Sequence, residues 1–183
     1  NIRETSLFPS DPKRIAGHRL KAQIFFGGEN LRNEIIRLLK DKECSYEHLV
    51  HEITPTSIDS AKIRGTLLEE GIKSIILKGK TSKKNYQFNI PAHLKLDMGA
   101  VAKLVNEKCE FEDPAIILER FGLQIGGVPH FGTLLGLDTF FDEKIQLSSR
   151  SAFNCGMPTE SIVMNAKDVI AIVDPKWGQF TKE

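Results

Sequence analysis

The sequence predicts an α+β fold, and three observations carry that expectation. Segments of helical periodicity alternate with short β-branched runs, without the steady strand–helix beat of a parallel α/β sheet. Capping and stop residues bracket most of the helical segments. Hydrophobic residues make up 40% of the 183, enough to bury a sizeable core.

Residues 1–28 stand apart. Pro9 and Pro12 break regular structure, Gly17, Gly27 and Gly28 loosen the chain around them, and no apolar period is sustained. This stretch reads as a linker or the tail of a preceding domain, with the domain proper over 29–183. The opening Asn1-Ile2-Arg3-Glu4 has neither an initiator methionine nor a signal-peptide pattern, as expected of a fragment cut from something longer. From Asn30, an available N-cap, Leu31, Ile35, Leu38 and Leu39 share one helical face. A short strand is expected over Tyr46–Glu52. A second helix comes next, capped by Thr56 or Ser57, with Ile58, Ala61, Gly65 and Leu68 inward and Gly71 as its C′ glycine.

Ile72–Leu77 is a β-branched run and a buried-strand candidate, Gly79–Lys84 a basic turn, and Tyr86–Ile90 a returning strand. Asp97 caps a third helix through Met98, Val101, Ala102 and Val105. Asp113-Pro114 opens a fourth that Gly122 stops. Beyond a glycine-rich loop, Gly126–Gly132, short strands are expected around Thr139–Phe141, Ser151–Asn154 and Ser161–Met164. Asn165 caps a last helix, Ala166–Val173, ended by Asp174-Pro175; Trp177 and Phe180 pack the terminus down.

Composition narrows function. Lysine and arginine total 25 against 24 acids, a net charge of +1, so any nucleic-acid contact must come from a local patch. No apolar run approaches the roughly 20 residues of a membrane helix, and no membrane partner is expected. Cys44, Cys109 and Cys155 are far apart and odd in number. They exclude a disulfide framework and a close-spaced zinc motif, and favour a reducing cytoplasm.

Few residues suggest chemistry by themselves. Gly-Gly-Val-Pro-His-Phe-Gly (126–132) lacks the spacing of nucleotide loops. Gly126 and Gly127 suit either a backbone nest for an oxyanion or a tight turn. Lys73, Lys78, Lys80, Lys83 and Lys84 crowd one strand and its turn without an intervening acid. They suit a phosphate backbone or a solvated hairpin tip. Lys73, opening the apolar strand, is the one placed to project into a cleft. His51 and His130 have no third residue spaced for a triad or metal site, so satisfied loop histidines are the default. Cys155 suits a nucleophile or a small buried thiol.

The motif order is His51…Thr56, Lys73-Ser74-Ile75-Ile76-Leu77, Leu96-Asp97-Met98, Gly126–Gly132, Phe141-Asp142-Glu143, then Cys155-Gly156 before Ser161-Ile162-Val163. Over about residues 30–175 this resembles the YbaK/prolyl-tRNA synthetase-associated editing domain. His130 stands where that family usually has proline, which bears on pocket shape, and Ser74-Ile75 replaces Thr/Asn-Leu. The resemblance implies a mixed, largely antiparallel curved sheet with surrounding helices. It also implies hydrolysis of the ester on a mischarged tRNA, without metal or cofactor. Lys73, Gly126 and Gly127 would then be catalytic, and His51, Thr56, Pro129, His130, Phe131, Gly132 and Asp142 would bind substrate. Lys78, Lys80, Lys83 and Lys84 would guide the tRNA. A catalytically idle tRNA-binding module and a purely structural appendage are the competing expectations. Separately, Asn1–Arg14, with Phe8-Pro9-Ser10-Asp11-Pro12-Lys13-Arg14, resembles the extreme C-terminus of an archaeal/eukaryotic-type aspartyl-tRNA synthetase, Ser10 departing from the usual arginine. That likeness implies synthetase domains as partners in one parent chain.

Overall fold

The computed structural model describes residues 27–183. The expected synthetase-like tail therefore lies almost wholly outside the described residues.

Helix α1 spans Gly28–Asp41 and buries Leu31, Ile35 and Leu39 completely, at the four-residue spacing of one helical face. It starts two residues before the expected cap. Gly27 is the N-cap, in extended conformation, and Asn30 is already inside the helix. Packing sets this start. A Cβ on Gly28 would lie 2.1 Å from the Gly156 carbonyl oxygen, and Gly28 N–H donates to Gly122 O at 3.0 Å. Gly28 is thus a close-contact residue of the core and not a loose linker glycine.

Strand β1 runs Tyr46–Val50, shorter than expected. Helix α2, Ser57–Arg64, is capped by Thr56 Oγ1, which accepts from Asp59 N at 3.2 Å. It ends earlier than expected, because Gly65 takes the left-handed conformation at φ 63°. Gly71 instead has φ −74°, and Leu68–Glu70 is a separate 3₁₀ turn. Ile58, expected inward, is exposed; α2 buries Ala61 and Arg64.

Strands β2 (Ile72–Gly79) and β3 (Asn85–Pro91) form the expected hairpin, and β4 is Lys95–Leu96. Asp97 caps α3 (Met98–Val105), accepting from Gly99 N and Ala100 N. After β5 (Cys109–Phe111), Asp113 caps α4 (Pro114–Phe121), which Gly122 ends at φ 65°. Strands β6 (Asp138–Asp142), β7 (Arg150–Asn154) and β8 (Glu160–Asn165) lead to α5 (Ala166–Val173), capped by Asn165. Strands β9 (Lys176–Gly178) and β10 (Thr181–Lys182) close the chain. Short polar caps with helical periods behind them form these helices locally, as the sequence predicts.

The result is a mixed α+β fold. One sheet has the order β5-β2-β3-β6-β9, another β1-β8-β7, and β10 pairs β4. All pairings are antiparallel except β3–β6 and β6–β9. A parallel bridge between Gly71 and Ala152 joins the two larger sheets. The five-stranded sheet is covered on both faces, because adjacent residues point opposite ways. Ile76 and Phe141 enter a core with α1, α4, α5, β7 and β8; Leu77 and Phe140 enter a second with α3 and Phe180. The Phe180 ring packs edge-on to Phe88 and the Trp177 ring edge-on to Phe141, holding the terminus down as expected. No helix among the described residues is long and apolar enough to cross a membrane.

Candidate functional site

Where the first turn of β2 meets α2 and the loop after α4, the surface opens into a cleft of about 470 Å³. Gly71–Ile75 form one wall, Ile53–Ser57 with Ser60, Ala61 and Arg64 another, and Ile125, Gly126, Val128, Asn154 and Pro158 a third. Among the described residues no aspartate or glutamate lines it, whereas Lys73 and Arg64 both do. Hydroxyls are frequent, from Thr54, Thr56, Ser57, Ser60 and Ser74. The exposed side chains of Ile53 and Ile125 are apolar members of the lining.

Lys73 sits here because β2 carries it to the cleft end of the five-stranded sheet. Its Nζ donates to the Leu94 carbonyl at 2.7 Å. Burial, with the nearby Lys95 charge, holds its pKa below the ordinary lysine value. Thr56 lines the cleft but spends its hydroxyl on the α2 cap, donating to Asp59 Oδ2 at 2.6 Å. Gly126 lines it with φ 87°, while Gly127 N–H donates to Gln124 O at 2.9 Å. The glycine pair therefore closes a hydrogen-bonded turn, and the Gly127 amide is not presented to the cleft. A Cβ on Gly127 would lie 3.0 Å from Pro158 N, so close approach of the Pro158 segment favours glycine there.

The remaining expected substrate contacts do not reach the cleft. His51 is outside the lining; its Nε2 lies 2.7 Å from Ser161 Oγ and its Nδ1 2.7 Å from Glu52 O. A carbonyl can only accept, so Nδ1 carries a proton, and in the neutral ring Nε2 accepts from the serine. His51 is satisfied, as the default expects. His130 is not. It is fully buried, neither ring nitrogen has a partner among the described residues, and its ring packs on Phe131, Phe141 and Phe153. Burial, then the Arg64 charge, pushes its pKa down to about 3. Phe131 is core as well, and Pro129 O and Gly132 N are tied to the Gln87 amide at 2.7 and 2.8 Å. Asp142 accepts from Lys144 N and Phe180 N at 3.0 and 2.9 Å, a buried anchor for the C-terminal segment.

The lysine-rich tip is likewise remote. Lys73 to Lys80 is seven residues along an extended chain, about 23 Å, and the turn stands at the far end of β2. The sequence shows no acid in it, but the fold brings acids to it. Lys78 pairs with Glu110 and Glu112, Lys80 with Glu110, and Glu107 caps the turn through Thr81 N and Ser82 N.

Two residues that sequence reasoning missed belong to the cleft: Arg64 and Asn154. Arg64 donates through Nε to Ser161 Oγ at 2.9 Å and through one terminal nitrogen to Asn154 Oδ1 at 2.7 Å. Its position three residues after Ala61, on the same helical face, is the signal that could have found it. Cys155 is fully buried, and burial, with Glu160 nearby, raises its thiol to about 12, so it stays protonated. It comes within 4.8 Å of the ligating atoms of His48 and Glu160, although sequence spacing alone suggested no such grouping. The Glu160 oxygens are held by Arg32 and His48, both at 2.6 Å.

The chain is thus an α+β protein whose cleft is lined by Lys73 and Arg64 and, among the described residues, by no acid. The chain belongs to the aminoacyl-tRNA editing domain family, whose model matches residues 51–172. Among characterised relatives, it is 24% identical over 159 residues to the multifunctional Ser/Thr-tRNA deacylase ProXp-y of Escherichia coli (strain K12), covering 85% of this chain and 95% of that protein. The O157:H7 form of that deacylase matches equally. Among solved structures, a protein described provisionally as a trans-editing enzyme for prolyl tRNA synthetase superposes with TM-score 0.72 at 20% identity, covering 83% of this chain and 97% of that one. A scaffold used for computational epitope grafting gives the same values. These structural likenesses concern the fold.

Proposed function

We propose that this chain hydrolyses the ester of mischarged aminoacyl-tRNA. The observation that carries the reading is Lys73: a partly desolvated ammonium in a cleft that no carboxylate lines among the described residues, in a chain of the editing family. An aminoacyl ester is already activated, so positioning and stabilisation of the developing oxyanion suffice. With the Gly127 amide spent in its turn, that stabilisation falls to Lys73, whose Nζ turns from Leu94 O toward the ester carbonyl or the neighbouring phosphate. Among the described residues no imidazole or carboxylate lines the cleft, so in this reading the vicinal ribose hydroxyl serves to activate water. The lining hydroxyls of Ser57 and Ser74, and the relative's activity on Ser/Thr-tRNA, make seryl and threonyl esters the first substrates to test. The likeness of residues 1–14 to a synthetase terminus supports a parent chain in which residues 29–183 edit for an aspartyl-tRNA synthetase-like protein in the cytoplasm.

The lack of a side-chain base also suits the second reading, an idle tRNA-binding module. Release of labelled amino acid from seryl-, threonyl-, alanyl-, cysteinyl- and aspartyl-tRNA decides between them. The editing reading expects wild type to clear at least one and Lys73→Ala to be slower by about 100-fold, equivalent to about 2.7 kcal/mol at the transition state. Equal, background release by both proteins from every tRNA, with salt-dependent binding retained, establishes the idle module.

A further inference from the structure

Arg64 is buried and has no carboxylate partner among the described residues. A buried guanidinium is costly unless its charge is met, and chains that bury one ordinarily supply an acid. Here the partners are neutral: Ser161 Oγ, Asn154 Oδ1 at 2.7 Å, and Ala152 O at a long 3.5 Å. Burial draws its pKa down to about 10. Its charge also depresses His130, a ring already in the core. A merely structural cross-link from α2 to β7 and β8 would need hydrogen bonds but not a cation.

The donor count indicates what the charge is for. Arginine has five N–H groups in a planar fork. Three are used, one on Nε and one on each terminal nitrogen. Two remain, one on each terminal nitrogen, the arrangement that meets two oxygens of a carboxylate or phosphate. The side chain lines the same acid-free cleft as Lys73. Asn154 is itself fixed, its Nδ2 donating to Met157 O and Glu160 O at 3.3 Å, so the fork is held and not swinging. Behind it, Ser161 accepts from Arg64 and donates to His51, making His51 a positioning residue for the fork.

We infer that Arg64, held by Asn154 and Ser161 in the cleft that Lys73 enters, is a bidentate receptor for an oxyanion of the substrate. The inference rests on the editing reading for the substrate's identity. Two groups of an aminoacyl-tRNA end have this chemistry: the phosphodiester before the terminal nucleoside, and the side-chain carboxylate of a misattached acidic amino acid.

Titration calorimetry with non-hydrolysable 3′-amides separates these sources. One pair compares cytidylyl-3′-serylamido-3′-deoxyadenosine, which carries a phosphodiester, with its neutral methylphosphonate counterpart. The other compares 3′-aspartylamido- with 3′-asparaginylamido-3′-deoxyadenosine, neither of which carries phosphate. Wild type is expected to prefer the anionic member of one pair by about tenfold or more; the first pair assigns the phosphodiester, the second the carboxylate. Arg64→Gln is expected to reduce that preference to under threefold. Arg64→Lys, which keeps the charge without the fork, is expected to lose at least threefold of it. Circular dichroism identifies which variants are folded. Absence of preference in wild type overturns the inference without any variant, and an undiminished preference in either folded variant overturns it too. Deacylation by wild type is scored separately. A protein that shows the Arg64-dependent preference but releases no amino acid keeps the anion receptor and loses the deacylase reading. One that deacylates with no such preference does the reverse.

Discussion

The His130 ring lies against Phe153 with centroids 3.9 Å apart, in a core whose described residues offer neither of its nitrogens a hydrogen bond. The neutral imidazole is the form the core accepts, and its pKa falls from 6.5 to about 3. The unfolded chain binds a proton near 6.5 that the folded chain refuses until about 3, so this residue's contribution is intact above 6.5 and lost as pH falls through that window. His130→Phe removes the unpaired nitrogens and the titration together. The variant is expected to gain on wild type below pH 6.5, by up to about 1.4 kcal/mol per pH unit. Urea unfolding at pH 7.5, 5.5 and 4.5 measures this; a difference constant with pH would mean that His130 binds its proton equally well in the folded and the unfolded chain, and would refute the buried neutral imidazole.

Gly28 offers a test with opposite signs. In a loose linker, Gly→Ala is neutral, and in an open helix it stabilises by about 1 kcal/mol. Packed on Gly156, the added methyl meets backbone oxygen at 2.1 Å. Gly28→Ala is therefore expected to destabilise by about 2 kcal/mol or more. A lower urea midpoint supports α1 as part of the fold from its first residue, and an unchanged or raised midpoint refutes the contact.

The hairpin lysines separate into two sets. Lys78 and Lys80 face Glu110 and Glu112, whereas Lys83 and Lys84 have no carboxylate partner among the described residues. If the tip tracks a tRNA backbone, the free pair carries more of the counterion release. The double variant Lys83→Ala/Lys84→Ala is then expected to lower the slope of log affinity against log salt by about 1 to 2, and Lys78→Ala/Lys80→Ala by less. Slopes matching wild type in both would make the tip a solvated turn.

How much was legible divides along sequence distance. Helices α3, α4 and α5 start at Asp97, Asp113 and Asn165 as the sequence predicts, because a cap side chain bonds an amide two or three residues away. The hairpin of β2 and β3 and the terminal packing of Phe180 come from equally local patterns and apolarity. Lys73 was legible because it opens an apolar run that forms a strand, although that end of the strand is only half-buried, and the family likeness rested on motifs read along the chain.

The sequence by itself determined the α+β class, the bounds of the last three helices and the lysine on which the proposed chemistry turns, whereas the short strands β4, β5, β9 and β10 carry no sequence signal of their own. The tertiary structure decided which other residues join that lysine. Arg64 meets Ser161 and Asn154 across 97 and 90 residues, and Glu110 and Glu112 reach Lys78 through strand pairing. It likewise turned His130, Phe131 and Asp142 from expected pocket residues into core and anchor. The physical reason is that burial and charge compensation are properties of neighbours in space. A sequence motif names a loop, but only packing decides which of its side chains face solvent and which fill the interior.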